Sequence, residues 1–176
     1  MEHGVANPET IVQSLGVLEK GMQVADFGCG AGYYSIALAK ITKEGKVHAF
    51  DVMESAIEAT RARASRSGLD NVTCGRTNLE RFGSTGLASG SLDLVWFANI
   101  LFQTQKKEEI IAEARRILKP GGFLAVVEWR DGAVLGPKGY KVGQLALQEL
   151  LDNLGFFLVK EFSVDPHHYG LLLRKS

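Results

Sequence analysis

Cysteine is scarce: only Cys29 and Cys74 occur, and no metal-ligand spacing links them. That argues against a disulfide scaffold and fits a reducing compartment, so a cytoplasmic location is expected. Neither sign of charge is in excess, with 20 basic and 20 acidic residues. A general attraction to nucleic acid or to an anionic membrane is therefore not expected. Long apolar runs are missing too, since stretches such as Phe123 to Val127 are far too short to span a bilayer. Met1 to Thr10 is polar and contains Pro8, so nothing there reads as a signal peptide. Repeats, low-complexity tracts and Pro/Ser-rich linkers are also lacking, and residues 1–176 read as a single domain.

What the chain does have is 45% hydrophobic residues, enough for a proper core, arranged as short apolar runs that alternate with helical-period segments. That is the pattern of parallel βα units. Asn7-Pro8 reads as an N-cap followed by proline at the first helical position, with Ile11, Val12, Leu15 and Leu18 on one face. Strands are expected at Met22–Phe27, Lys46–Phe50, Asn71–Gly75, Leu92–Phe97 and Phe123–Glu128, with Lys119 to Gly122 as the turn before the fifth. Helices are expected near Tyr33–Ile41, Glu54–Ser67, Lys106–Leu118 and Val142–Leu154. Two tail strands, Phe156–Val164 and Tyr169–Arg174, are separated only by Asp165 to His168. So short a link requires a hairpin, because a parallel crossover needs a dozen or more residues. The expected fold class is α/β, a doubly wound, mostly parallel sheet of seven strands whose last strand is antiparallel.

Asp26-Phe27-Gly28-Cys29-Gly30-Ala31-Gly32 closes the first strand and opens the next helix. Glycines there permit a tight turn and close approach of a ligand to the backbone, while the helix offers unpaired N–H groups. Asp51 follows at the end of the second strand, where a carboxylate can accept both hydroxyls of a ribose. A dinucleotide fingerprint wants a small residue at the position held by Tyr33, so a nicotinamide-dependent oxidoreductase is disfavoured.

VADFGCGAGYYSIALA at residues 24–39 resembles the first motif of the class I S-adenosylmethionine-dependent methyltransferases. HAFDV ending at Val52, SLDLVWFANIL at 91–101 and EARRILKPGGFLAVVEW at 113–129 follow in the family's order. The nearest likeness is to the small members related to ubiquinone and menaquinone biosynthesis (methyltransferase type 11). The resemblance implies S-adenosylmethionine as cofactor and S-adenosylhomocysteine as product. It implies that Asp26, Gly28, Gly30 and Gly32 surround the methionine part and that Asp51 holds the ribose. It also implies that Val52, Asn78 and Leu79 lie beside the adenine, and Phe97 and Ala98 near the sulfonium. Asp93 matches a family aspartate with a structural part and stays outside the site.

The cofactor class carries its own electrophile, so no metal is chemically required and no shared catalytic residue is implied. Topology brings Glu128, Trp129, Arg130 and Asp131, and the hairpin bearing His167 and His168, to the carboxyl edge of the sheet. His167 or His168 is a candidate base, against the plainer reading of an exposed turn histidine. Trp129 stacks on an acceptor or caps the core; Tyr34 touches the cofactor or packs its own helix. Asp131 to Gly143, with Lys138 and Lys141, reads as a flap over the acceptor. The sequence after the fourth strand is not an N-P-P-Y-like signature, no basic cluster is present, and two scattered cysteines disfavour a thiol-based arsenic methylase. A small-molecule acceptor is expected, with a homo-oligomer or partner chain left open. A non-catalytic cofactor-binding or partner-activating protein is the competing reading.

Overall fold

A computed structural model describes residues 7–133 and 136–176. Helix α1 (Pro8–Ser14) begins where Asn7 Oδ1 accepts the Glu9 N–H at 2.9 Å, an N-cap that satisfies one of the helix's free donors. Then come β1 (Gln23–Phe27), α2 (Tyr33–Thr42), β2 (Lys46–Asp51), α3 (Glu54–Arg66) and β3 (Val72–Arg76). β4 (Leu92–Ala98) leads through a 3₁₀ turn at Leu101–Gln103 into α4 (Lys107–Ile117) and β5 (Leu118–Trp129). The chain closes with α5 (Gln144–Asn153), β6 (Phe156–Asp165) and β7 (His168–Lys175).

The seven strands lie in the order β3-β2-β1-β4-β5-β7-β6. The pairs β1–β2, β1–β4, β2–β3 and β4–β5 are parallel, and β7 runs antiparallel to both β5 and β6. β1 is therefore the switch point, with successive units wound to opposite sides of it, and a crevice opens beyond its carboxyl end. Each sheet face carries its own core. One joins Phe27, Phe97 and Val126 to Ile111 of α4 and Leu147 of α5, the other joins Val24, Trp96 and Val127 to Val12 of α1 and Leu38 of α2. Strands covered on both faces read as continuous apolar runs, which is why β4 and β5 stood out in the sequence.

One expectation changes. Lys119 to Gly122 lies within β5 instead of before it, because Leu118 already pairs with Leu92 and Phe123 with Leu94, leaving four residues bulged between. Gly121 at φ +74° and a Lys119 Nζ bond to Asp93 Oδ1 at 2.6 Å hold that bulge. Asp93 also accepts the Gln23 N–H at 2.8 Å, so it fastens the amino edge of the sheet, opposite the crevice. Val134 and Leu135, within the expected flap, and residues 1–6 lie outside the described residues.

Candidate functional site

Beyond the carboxyl ends of β1 and β2 lies a cavity of about 450 Å³. Gly28, Gly30, Asp51, Val52, Asn78 and Leu79 line it, all singled out from the sequence. Asp51 is fixed by two backbone donors: its Oδ2 accepts the Gly30 N–H and its Oδ1 the Met53 N–H, each at 3.0 Å. Each carboxylate oxygen keeps an unused lone pair, which is what a vicinal diol needs. Gly30, at φ +52°, faces open space, with no heavy atom within 4 Å of where a side chain would start. A ligand can thus reach the backbone there. Gly28 serves a different contact: a methyl group on it would fall 2.2 Å from Ile100 Cγ2, so it lets the turn after β4 close against the glycine loop. The size of this space, the free face of Gly30 and the aimed carboxylate fit a nucleoside-bearing cofactor.

Other expected residues stand outside the lining. Asp26 is 1% exposed and accepts the Ser35 hydroxyl at 2.5 Å, bracing the loop from beneath. Burial pushes its carboxyl up to about 7, against the Ser35 hydrogen bond, and the Asp51 charge adds to the rise. Gly32 permits helix contact, since a Cβ there would come within 2.9 Å of Thr60 Cα in α3. The close-packed position is therefore Gly32, and Tyr33 instead projects outward under the Arg63 guanidinium, 3.8 Å from its ring centre. Tyr33 thus does not fill the small-residue position that the sequence spacing gave it. Phe97 is fully buried and stacks on Phe27 at 5.5 Å, while Ala98 is half-buried at the strand end. Asn78 turns its Oδ1 back to the Glu80 N–H at 2.9 Å, and the acid on this wall is Glu80, two residues later. Met53, Gln103, Thr104 and Ile110 also line the cavity without having been singled out.

The acceptor side of the edge is built from β4, β5 and β7. Glu128, expected to emerge there, is 1% exposed and lies under the turn after β4, accepting the Leu101 N–H at 2.6 Å. Burial pushes its carboxyl up to about 7, although the backbone amides of Leu101, Ile100, Trp129 and Phe102 oppose the rise. Trp129 packs against the His168 ring with centroids 4.0 Å apart, and Gly136 leaves no room for a Cβ beside its six-membered ring. His168 Nδ1 lies 2.8 Å from both oxygens of Asp165. His167 offers its carbonyl to the Arg130 N–H at 2.9 Å. Tyr34 packs at a tilt against Trp96, ring centroids 4.8 Å apart, and its hydroxyl is pushed up to about 12 by burial, then by the Asp165 and Asp26 charges. Tyr34, on the glycine-loop helix, thus feels the charge of Asp165 on the hairpin. Among the described residues, no cluster of three metal-ligating side chains occurs.

A family model described as a methyltransferase domain matches residues 18–159. The chain is 32% identical over 109 residues to an arsenite methyltransferase of Aquipseudomonas alcaligenes, covering 59% of this chain and 32% of that protein. It is 29% identical over 167 residues to a malonyl-(acyl-carrier protein) O-methyltransferase of Methylovorus, covering 92% of this chain and 52% of that protein. The chain thus spans about a third to a half of the length of these relatives. A solved structure of a SAM-dependent methyltransferase from Aquifex aeolicus has the same fold, with a TM-score of 0.86 at 24% identity over 98% of this chain and 91% of that one. On the family match and the order of its seven strands, the chain belongs to the class I S-adenosylmethionine-dependent methyltransferases.

Proposed function

We propose that the chain transfers a methyl group from S-adenosylmethionine to a small-molecule acceptor in the cytoplasm, acting as a single domain. The observation that carries this reading is Asp51, held by the Gly30 and Met53 amides at the wall of a cavity of about 450 Å³. Asp51 receives the two ribose hydroxyls. Val52 and Leu79 pack against the adenine, and Asn78 offers its amide N–H to a ring nitrogen. Gly28 and Gly30 let the backbone approach the methionine part, and the buried Asp26 ionises beneath it when the cationic sulfur binds. When bound, the cofactor supplies an electrophilic methyl on a positively charged sulfur.

The chain's own task is then alignment. Oriented reactants recover about 7–11 kcal/mol that a bimolecular encounter would cost. Glu128 fixes the backbone of the turn after β4, and that turn contributes Ile100, Gln103 and Thr104 to the same wall. A small acceptor is supported by the balanced charge of the chain. The names of the relatives range from arsenite to a malonyl group on a carrier protein, so they select no acceptor.

The test is transfer of a labelled methyl group in a cell extract separated by size. Label in the fraction below about 1 kDa is expected. Label confined to protein or RNA would overturn the small-molecule reading.

A further inference from the structure

We propose that His168, oriented by Asp165, is the general base of this site, and that its acceptor enters carrying a proton, as a hydroxyl or an ammonium group. The inference rests on the methyltransferase reading above and deepens it.

The turn between β6 and β7 fixes the carboxylate first. Asp165 Oδ1 accepts the backbone N–H of His167 at 2.8 Å and of His168 at 3.0 Å. The His168 ring then meets the carboxylate through Nδ1 at 2.8 Å. Burial alone would raise Asp165, but the His168 ring and the two backbone amides hold it below the usual carboxylate range. An imidazole whose Nδ1–H points at a carboxylate carries its lone pair on Nε2. That Nε2 is buried and has no hydrogen-bond partner among the described residues. Closing the hairpin needs only the carboxylate and the two backbone amides, so the unpaired nitrogen answers to something else.

His168 stands on the same carboxyl edge, outside the lining of the cavity beside Asp51, so the acceptor must reach across that edge. His168 pairs with Trp129 at the carboxyl end of β5, and Ala98 of β4 pairs with Val127 of the same strand. At about 4.8 Å between strands, the hairpin lies roughly 10 Å across the edge from the end of β4. Tyr34, on the glycine-loop helix, feels the charges of both Asp165 and Asp26.

Asn99, directly after β4, adds a second observation. It holds φ at +57°, a left-handed conformation uncommon outside glycine, and its Oδ1 is also buried without a partner among the described residues. Two unpaired acceptor atoms on one edge, each costing about 1–3 kcal/mol when left so, call for a ligand that donates. Nε2 takes the acceptor's proton, and the freed lone pair forms the bond to the methyl carbon. The carbon–sulfur pair stays on sulfur. The imidazolium is neutralised by Asp165 and returns its proton to solvent.

The test pairs spectroscopy with turnover, using wild type, His168→Gln and Asp165→Asn. In ¹⁵N NMR of the wild type bound to S-adenosylhomocysteine, His168 should carry its proton on Nδ1, and Asp165→Asn should abolish that preference. A wild-type proton on Nε2 would overturn the proposal. In the extract assay both variants should lose turnover by on the order of 100-fold, the low end of general-base contributions, with S-adenosylhomocysteine affinity within about twofold of wild type. Variants as active as wild type would remove His168 from the chemistry. A wild type that binds the cofactor yet labels nothing would overturn both the methyltransferase reading and the base that depends on it, even with the tautomer as expected. Labelling by the wild type with the proton on Nε2, or with both variants unaffected, overturns the base alone, so the two failures are distinguishable.

Discussion

Glu128→Gln perturbs the buried support of the turn after β4, and its effect should depend on pH in a defined direction. The wild-type carboxyl is 1% exposed and pushed up from 4.5 to about 7 by burial, despite the backbone amides around it. An acid whose folded value is raised gives stability that is fully present below its unfolded value. That stability is lost as pH rises through the folded value. At about 1.4 kcal/mol per pH unit, the interval from 4.5 to about 7 corresponds to about 3 kcal/mol, an order-of-magnitude figure. Glutamine has no proton to lose, so the variant lacks this contribution. The advantage of wild type over Glu128→Gln should therefore shrink by about 3 kcal/mol between pH 4.5 and pH 8. Urea unfolding at a series of pH values measures it, with Asp26 titrating alike in both proteins. Parallel stability curves would instead mean that the carboxyl sits where water reaches it.

Asp51→Ala removes the carboxylate proposed to accept both ribose hydroxyls, and charge-assisted bonds of about 1.5–3 kcal/mol each imply cofactor affinity weakened by on the order of 100-fold or more. Calorimetry showing less than about threefold change would take Asp51 off the ribose. Gly28→Ala should destabilise the fold by about 2–5 kcal/mol, since left-handed strain adds to a clash with Ile100. Gly30→Ala should cost only the strain of about 1–2 kcal/mol yet impair cofactor binding, because its methyl enters the cavity. Thermal melts and titrations that failed to separate the two glycines would contradict their assigned roles. Asp26, raised to about 7, should release protons when a cation binds above it. Near pH 7, calorimetry in buffers of different ionisation enthalpy should show more release with S-adenosylmethionine than with the uncharged-sulfur product. Equal release would separate Asp26 from the sulfonium.

Much of the architecture was legible because glycines and apolar runs mark each βα unit, and because four residues cannot carry a parallel crossover. The bulge at Lys119 to Gly122 was not, since proline and glycine normally end a strand, and only the pairing of Leu118 with Leu92 reveals that this one has already begun. In the site, residues at strand ends could be read from the chain because register sends them to the carboxyl edge. Met53, Thr104 and Ile110 could not, as they reach the cavity from helix ends and a turn brought in by packing. Glu80 carries a faint signal, an acid two positions beyond Asn78. Glu128 carries none, because a carboxylate buried under a turn and one facing a ligand look alike in sequence. His168 was visible as a residue, but its orientation by Asp165 and its unpaired Nε2 are products of the hairpin.

The proposed function stands on the cavity beside Asp51 holding S-adenosylmethionine. Calorimetric titration of the purified chain with S-adenosylmethionine and, separately, S-adenosylhomocysteine tests it directly. One site per chain, micromolar binding of both, and competition between them are expected. Binding of neither, by a chain that is folded, would contradict it and leave the glycine loop with a structural part alone.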